Sequence, residues 1–146
     1  MKRRILLVDD DLAVLLTLKA VLELHGFEVE TAASTAEAMA RMEAGVYQMV
    51  ISDLRMETED AGLEVIRAAR SKSYAPATAL LTAFPPDGEE GVIQGKDRPD
   101  SMFIKPLGTS DLVRQVEALL IRQADRQQLQ KRAAEAAQQH GKRSTG

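Results

Sequence analysis

Arg4-Ile5-Leu6-Leu7-Val8-Asp9-Asp10-Asp11 is the stretch that decides the fold. A short aliphatic run bounded by charge reads as a strand buried on both faces. Three carboxylates then meet its carboxyl end. Working outward, Asp11 to His25 places Leu15, Leu18, Val21 and Leu22 along one helical face, and Gly26 stops it. Phe27 to Thr31 alternates as a second strand. Ser34-Thr35-Ala36-Glu37 fits a capping box that opens a second helix, with Ala38, Met39 and Met42 inward and an end near Gly45. Tyr47 to Ser52 reads as strand three. A polar loop from Arg55 to Gly62 leads into a helix with Leu63, Ile66 and Ala69 on one side. Ala77 to Leu81 and Ser101 to Ile104 complete five strands. A last helix starts at Thr109 and carries Leu112, Val116, Leu119 and Leu120. Strands alternating with helices predict a parallel sheet covered on both faces.

Two segments depart from this rhythm. Pro85 to Pro99 holds three glycines and three prolines, which predicts a weak or broken fourth helix. The last helix loses its apolar stripe after Ile121, yet its alanine, glutamine, arginine and lysine favour helix to about Gln139. It reads as a dimer-forming extension, a linker or a frayed tail. Residues 1–121 are therefore expected to form the domain, and 122–146 a basic extension.

Composition narrows the chemistry. The 146 residues contain no cysteine, which excludes disulfides, thiolate zinc sites and cysteine nucleophiles, and only two histidines. No apolar run approaches the ~18 residues of a membrane span. The first residues lack the apolar region of a signal peptide, so a cytoplasmic location is expected. Residues 1–121 carry 13 basic and 20 acidic groups, whereas residues 122–146 carry 6 and 2. The acidic body is a poor match for nucleic acid.

In a parallel sheet, ligands sit beyond the carboxyl ends of the strands. Asp9, Asp10 and Asp11 follow strand one, Asp53 ends strand three, Thr82 follows strand four, and Lys105 follows strand five. Clustered carboxylates repel unless a cation intervenes. Oxygen ligands alone suit Mg2+. A lysine and a hydroxyl beside them make a setting for phosphoryl transfer, with Asp53 the candidate nucleophile.

Taken in order, Leu6-Leu7-Val8-Asp9-Asp10-Asp11, Val50-Ile51-Ser52-Asp53-Leu54-Arg55-Met56, Leu81-Thr82-Ala83 and Phe103-Ile104-Lys105-Pro106 resemble the receiver domain of two-component response regulators, from about Arg4 to Ile121. The resemblance implies a flavodoxin-like fold with strand order 2-1-3-4-5. It implies a phosphoryl group passed to Asp53 from a sensor histidine kinase or phosphotransfer protein. It implies Mg2+ held by Asp10, Asp53 and the backbone carbonyl of Arg55, with Asp9 reaching it directly or through water. Thr82 and Lys105 would contact the phosphoryl group, and the Lys105-Pro106 bond would be cis. The implied protein is a signalling domain, with at most self-phosphorylation and self-dephosphorylation.

Departures from the family pattern are expected to matter. Glu57 stands where the family usually has proline. Ala61 separates Asp60 from Gly62 in a loop one residue longer than usual. Met102 takes the place of the switch aromatic. The acids Glu57, Glu59 and Asp60 are expected to be a solvated loop rather than an attractor for the cation. Asp11 is expected to cap the first helix, and His25 to be a helix-end residue. Three alternatives stand beside this reading. A metal-dependent phosphatase resembling the haloacid dehalogenases wants an acid where Arg55 stands. A nucleotide-binding domain wants glycines after strand one, where this chain has aspartates. A receiver that is never phosphorylated would not need all five key positions filled.

Overall fold

The computed structural model describes residues 3–83 and 98–144. In chain order the elements are β1 (Arg4–Val8), α1 (Leu12–Leu24), β2 (Glu28–Ala32), α2 (Thr35–Ala44), β3 (Met49–Asp53), α3 (Ala61–Arg70), β4 (Ala77–Thr82), β5 (Ser101–Ile104) and α4 (Thr109–Ser144). All pairings are parallel, in the order β2-β1-β3-β4-β5. The glycine- and proline-rich stretch after β4 and the neighbouring Phe84 fall on positions outside the described residues, Arg98 and Pro99 excepted.

The sheet is buried on both faces because successive side chains alternate. Ile5, Leu7, Met49, Ile51, Ala79 and Leu81 face α1 and α4, where Leu15, Leu22, Leu112, Val116 and Leu120 meet them. Leu6, Val8 and Val50 point the other way, toward Ala38 and Met42 of α2 and Val65 and Ala69 of α3. Leu80 packs with Leu54 and Ile66 on that same side. A third strand predicted from Tyr47 starts two residues later, at Met49. Tyr47 lies before the strand, its ring in the core cluster of Leu6, Val8 and Met42 and its hydroxyl donating to Glu30 at 2.5 Å.

Helix ends follow local chemistry. Asp11 caps α1, its carboxylate accepting from the N–H groups of Ala13 and Val14. Beyond α1, Gly26 takes φ +91, a left-handed conformation that costs glycine little. His25 bonds the Val21 carbonyl through Nδ1 at 2.9 Å, a helix-end role as expected. Ser34 accepts from the Glu37 N–H at 3.1 Å, while Glu37 reaches back to the Ala33 N–H rather than to that of Ser34.

The last helix runs 36 residues, farther than the pattern predicts. Its packing also continues past Ile121, by polar contacts. Gln123 is only 3% exposed and donates to the Ala75 carbonyl at 3.3 Å. Arg126 forms a bidentate pair with Asp100, at 3.0 and 3.3 Å, and Gln127 donates to the Tyr74 carbonyl at 2.7 Å. From Gln127 through Gln138 every side chain is exposed. No helix among the described residues is long and apolar enough to cross a membrane.

Candidate functional site

Strand order reverses between β1 and β3, and the crevice there opens beyond their carboxyl ends. Asp53 is the last residue of β3. Asp9 and Asp10 follow β1 directly. One carboxylate oxygen from each of the three lies within 4.8 Å of the others, so the topology gathers the acids that the spacing singled out. Asp9 is 2% exposed and Asp53 9%, while Asp10 faces solvent.

The cation among them comes from β5. Lys105 follows that strand, and its Lys105-Pro106 peptide bond is cis, as expected. Its Nζ donates to Asp9 Oδ2 at 2.9 Å and stands 3.7 Å from Asp53 Oδ2. Burial alone would lower the lysine pKa, but the Asp9 hydrogen bond and the charges of Asp9 and Asp53 outweigh it and raise the value. Asp9 also accepts from the Asp11 N–H through Oδ1 at 2.9 Å.

Asp53 is the frustrated member. Burial, and then the charge of Asp9, push its pKa up to about 6, against the pull of Lys105 and of the Arg55 backbone N–H that donates to its carboxylate. A carboxylate so destabilised, with one lysine shared between two acids, is the situation that a further cation relieves. The donor set is all oxygen, with no histidine or cysteine, and fits a hard ion such as Mg2+.

The remaining predicted residues stand close by. Thr82 ends β4, the strand beside β3. It is buried, and its carbonyl accepts from the Lys105 N–H at 2.9 Å. Arg55 is exposed and joins the site through its backbone N–H. Met102 is partly buried against Leu54, Ile66 and Leu80, and Phe103 is fully in the core.

Sequence reasoning missed two features. Gly62 is required by close approach: a Cβ there would lie 2.2 Å from the Asp53 carbonyl oxygen and 2.7 Å from Leu54 Cα. Its N–H donates to the Leu54 carbonyl at 2.9 Å, so the start of α3 is pressed against the end of β3. The glycine two places after Asp60 was the available signal. The second concerns Glu57, expected in a solvated loop. Its carboxylate accepts from both the N–H and the hydroxyl of Thr35, each at 2.8 Å. Glu57 therefore fastens the loop to the first turn of α2.

Comparison with known proteins agrees with this geometry. The response regulator receiver domain family matches residues 5–117. The chain is 33% identical over 121 residues to the transcriptional regulatory protein CpxR homolog of Haemophilus influenzae, covering 83% of this chain and 52% of that protein. It is 35% identical over 121 residues to PrrA of Mycobacterium tuberculosis, covering 82% and 50%. A CheY-like receiver domain from Methanospirillum hungatei superposes with a TM-score of 0.75 at 25% identity, covering 86% of this chain and 99% of that one. TrrA of Thermotoga maritima, crystallised in complex with Mg(2+)-BeF, superposes with a TM-score of 0.68 at 30% identity, covering 80% and 98%. The chain belongs to the receiver domain family of two-component response regulators. It spans about half the length of the curated relatives just described.

Proposed function

We propose that Asp53 is the phosphoacceptor of this receiver. The observation that carries the reading is the placement of Asp53: last in a buried strand, raised in pKa by burial and then by Asp9, and 3.7 Å from the Lys105 ammonium. A carboxylate oxygen of Asp53 attacks the phosphorus of a phosphohistidine on a sensor kinase or phosphotransfer protein. The phosphorus–nitrogen bond breaks, and the imidazole leaves with the electron pair. Asp9, Asp10, Asp53 and the Arg55 carbonyl would hold Mg2+, which neutralises charge gathering on the phosphoryl oxygens when bound. Lys105 pairs with one phosphoryl oxygen and Thr82 donates its hydroxyl to another. Because these contacts exist only in the phosphorylated state, they shift a conformational equilibrium that a partner reads. Small phosphodonors would serve as well, and water would reverse the reaction slowly.

In this reading residues 1–121 form the receiver body and 122–146 a basic extension, in a protein that works in the cytoplasm. Pairing of two chains along the extension, without direct binding to nucleic acid, belongs to the same reading. Incubation with acetyl phosphate and Mg2+ should add about 80 Da, one phosphoryl group, on the peptide containing Asp53. Asp53→Asn should fold and gain no mass. Catalytic turnover of phosphate esters would favour the alternative of a phosphatase with an aspartyl nucleophile instead.

A further inference from the structure

The loop between β3 and α3 spans residues 54–60 and contains no proline. Its start is held at the site, where the Arg55 N–H donates to the Asp53 carboxylate. Its end is held by Gly62, packed against the Asp53 carbonyl. Within the loop the bonds are local: the Met56 N–H donates to the Thr58 carbonyl at 3.0 Å, and the Thr58 hydroxyl to Asp60 Oδ1 at 3.0 Å. Neither local bond fixes the loop to the body of the domain. Its first residues reach the body by apolar packing of Leu54 and Met56 and by the Leu54 N–H, which donates to the Leu81 carbonyl at 3.2 Å. Past Met56 the Glu57 carboxylate supplies the tie, because both its oxygens are engaged by Thr35, 22 residues away at the start of α2. A bidentate clasp leaves the side chain little rotational freedom, and it satisfies an N–H that a helix N-terminus otherwise leaves open.

We propose that Glu57 is a positioning residue for the cation site: by clasping Thr35 it holds the loop so that the Arg55 backbone faces Asp53. This rests on the reading that Asp53 and Arg55 help to hold Mg2+. Residues that orient ligands commonly govern metal affinity by one to two orders of magnitude. Two simpler roles make different predictions. A clasp that only stabilises α2 would lower the melting temperature and leave Mg2+ affinity alone. A carboxylate that only attracts the cation by its charge would lose that effect in Glu57→Gln as fully as in Glu57→Ala.

Calorimetric titration of Mg2+ into the wild-type chain, Glu57→Ala and Glu57→Gln separates these roles. Amide hydrogen exchange of residues 55–60 in the absence of metal is the second readout. Glu57→Ala should raise the Mg2+ dissociation constant about tenfold and speed exchange at Arg55 and Met56. Glu57→Gln keeps an acceptor for the Thr35 N–H and a donor for its hydroxyl, and should stay within about threefold of wild type, less than the loss expected when an orienting residue is removed. Unchanged affinity in Glu57→Ala, or equal losses in both variants, overturns the proposal while leaving the phosphoacceptor reading intact. Failure of the wild-type chain to bind Mg2+ overturns both.

Discussion

At the amino ends of the strands, Arg4 pairs with Glu30, Tyr47 donates to the same carboxylate, and Arg41 approaches it at 3.5 Å. At the carboxyl ends, Asp9, Asp10 and Asp53 gather, and Asp9 and Asp53 share the ammonium of Lys105. Both ends bury charge, and the consequences have opposite sign. The Tyr47 hydrogen bond, helped against burial by the bond and charge of Arg4, holds Glu30 below the usual carboxylate range. Burial and Asp9 push Asp53 up to about 6. One end is a network of paired opposite charges that fastens β1, β2 and α2, although Arg4 Nε is buried without a hydrogen bond. The other sets three carboxylates against one ammonium, an imbalance that a further cation would relieve.

The comparison can be broken most severely by steric means. Gly62→Ala would drive a methyl group into the Asp53 carbonyl, and should cost about 3 kcal/mol or more. Urea denaturation reads this. A loss below about 1 kcal/mol, the scale of an ordinary substitution, would mean that the site end is soft as well as charged.

Removing one polar group from each end should move stability in opposite directions. Tyr47→Phe leaves Glu30 short of a partner and should lose about 1–2 kcal/mol. Asp53→Asn, without metal at pH 7.5, should gain on the order of 1–3 kcal/mol. The sign follows from linkage. A carboxyl whose folded pKa is raised contributes stability below its unfolded value near 3.8, and that contribution is lost as pH rises through about 6. The advantage of Asp53→Asn should therefore shrink as pH falls from 7.5 to 4. Denaturant midpoints across that range check it, and two destabilised variants at pH 7.5 would refute the contrast.

The smallest effect belongs to the amino end of β5. Arg126 is 43% exposed, and a pair open to solvent contributes little. Arg126→Ala should cost less than about 1 kcal/mol by the same denaturation assay. A larger loss would make the Asp100 contact a structural tie between α4 and β5 rather than a solvated pair.

How much of this could be read from the chain depended on the range of the interaction. Ile5 to Val8 was legible as a strand because burial on both faces leaves an unbroken apolar run, and Ala77 to Leu81 because only Thr78 interrupts one. The acids were legible because each sits at a strand's carboxyl end, where topology alone brings them together. Tyr47 reads as strand because an aromatic beside an apolar run resembles one, while its ring fills the core from outside the sheet and its hydroxyl meets Glu30, seventeen residues away. Glu28 and Glu30, two apart on one face of β2 with Arg4 beside them, were a signal that periodicity of apolar residues does not weigh. The clasp of Glu57 on Thr35 and the grip of Gln123 and Arg126 leave no local pattern at all. Polar contacts across 22 to 48 residues require the fold before they can be seen.

At the carboxyl end of the sheet, three carboxylates against one ammonium leave an imbalance that a divalent cation would relieve. Thermal melting of the wild-type chain and of Asp53→Asn at pH 7.5, across a Mg2+ titration, addresses it most directly. Wild type should gain about 2.7 kcal/mol once Mg2+ exceeds its dissociation constant a hundredfold, and Asp53→Asn should start higher and gain far less. Flat or parallel curves for the two proteins would contradict it.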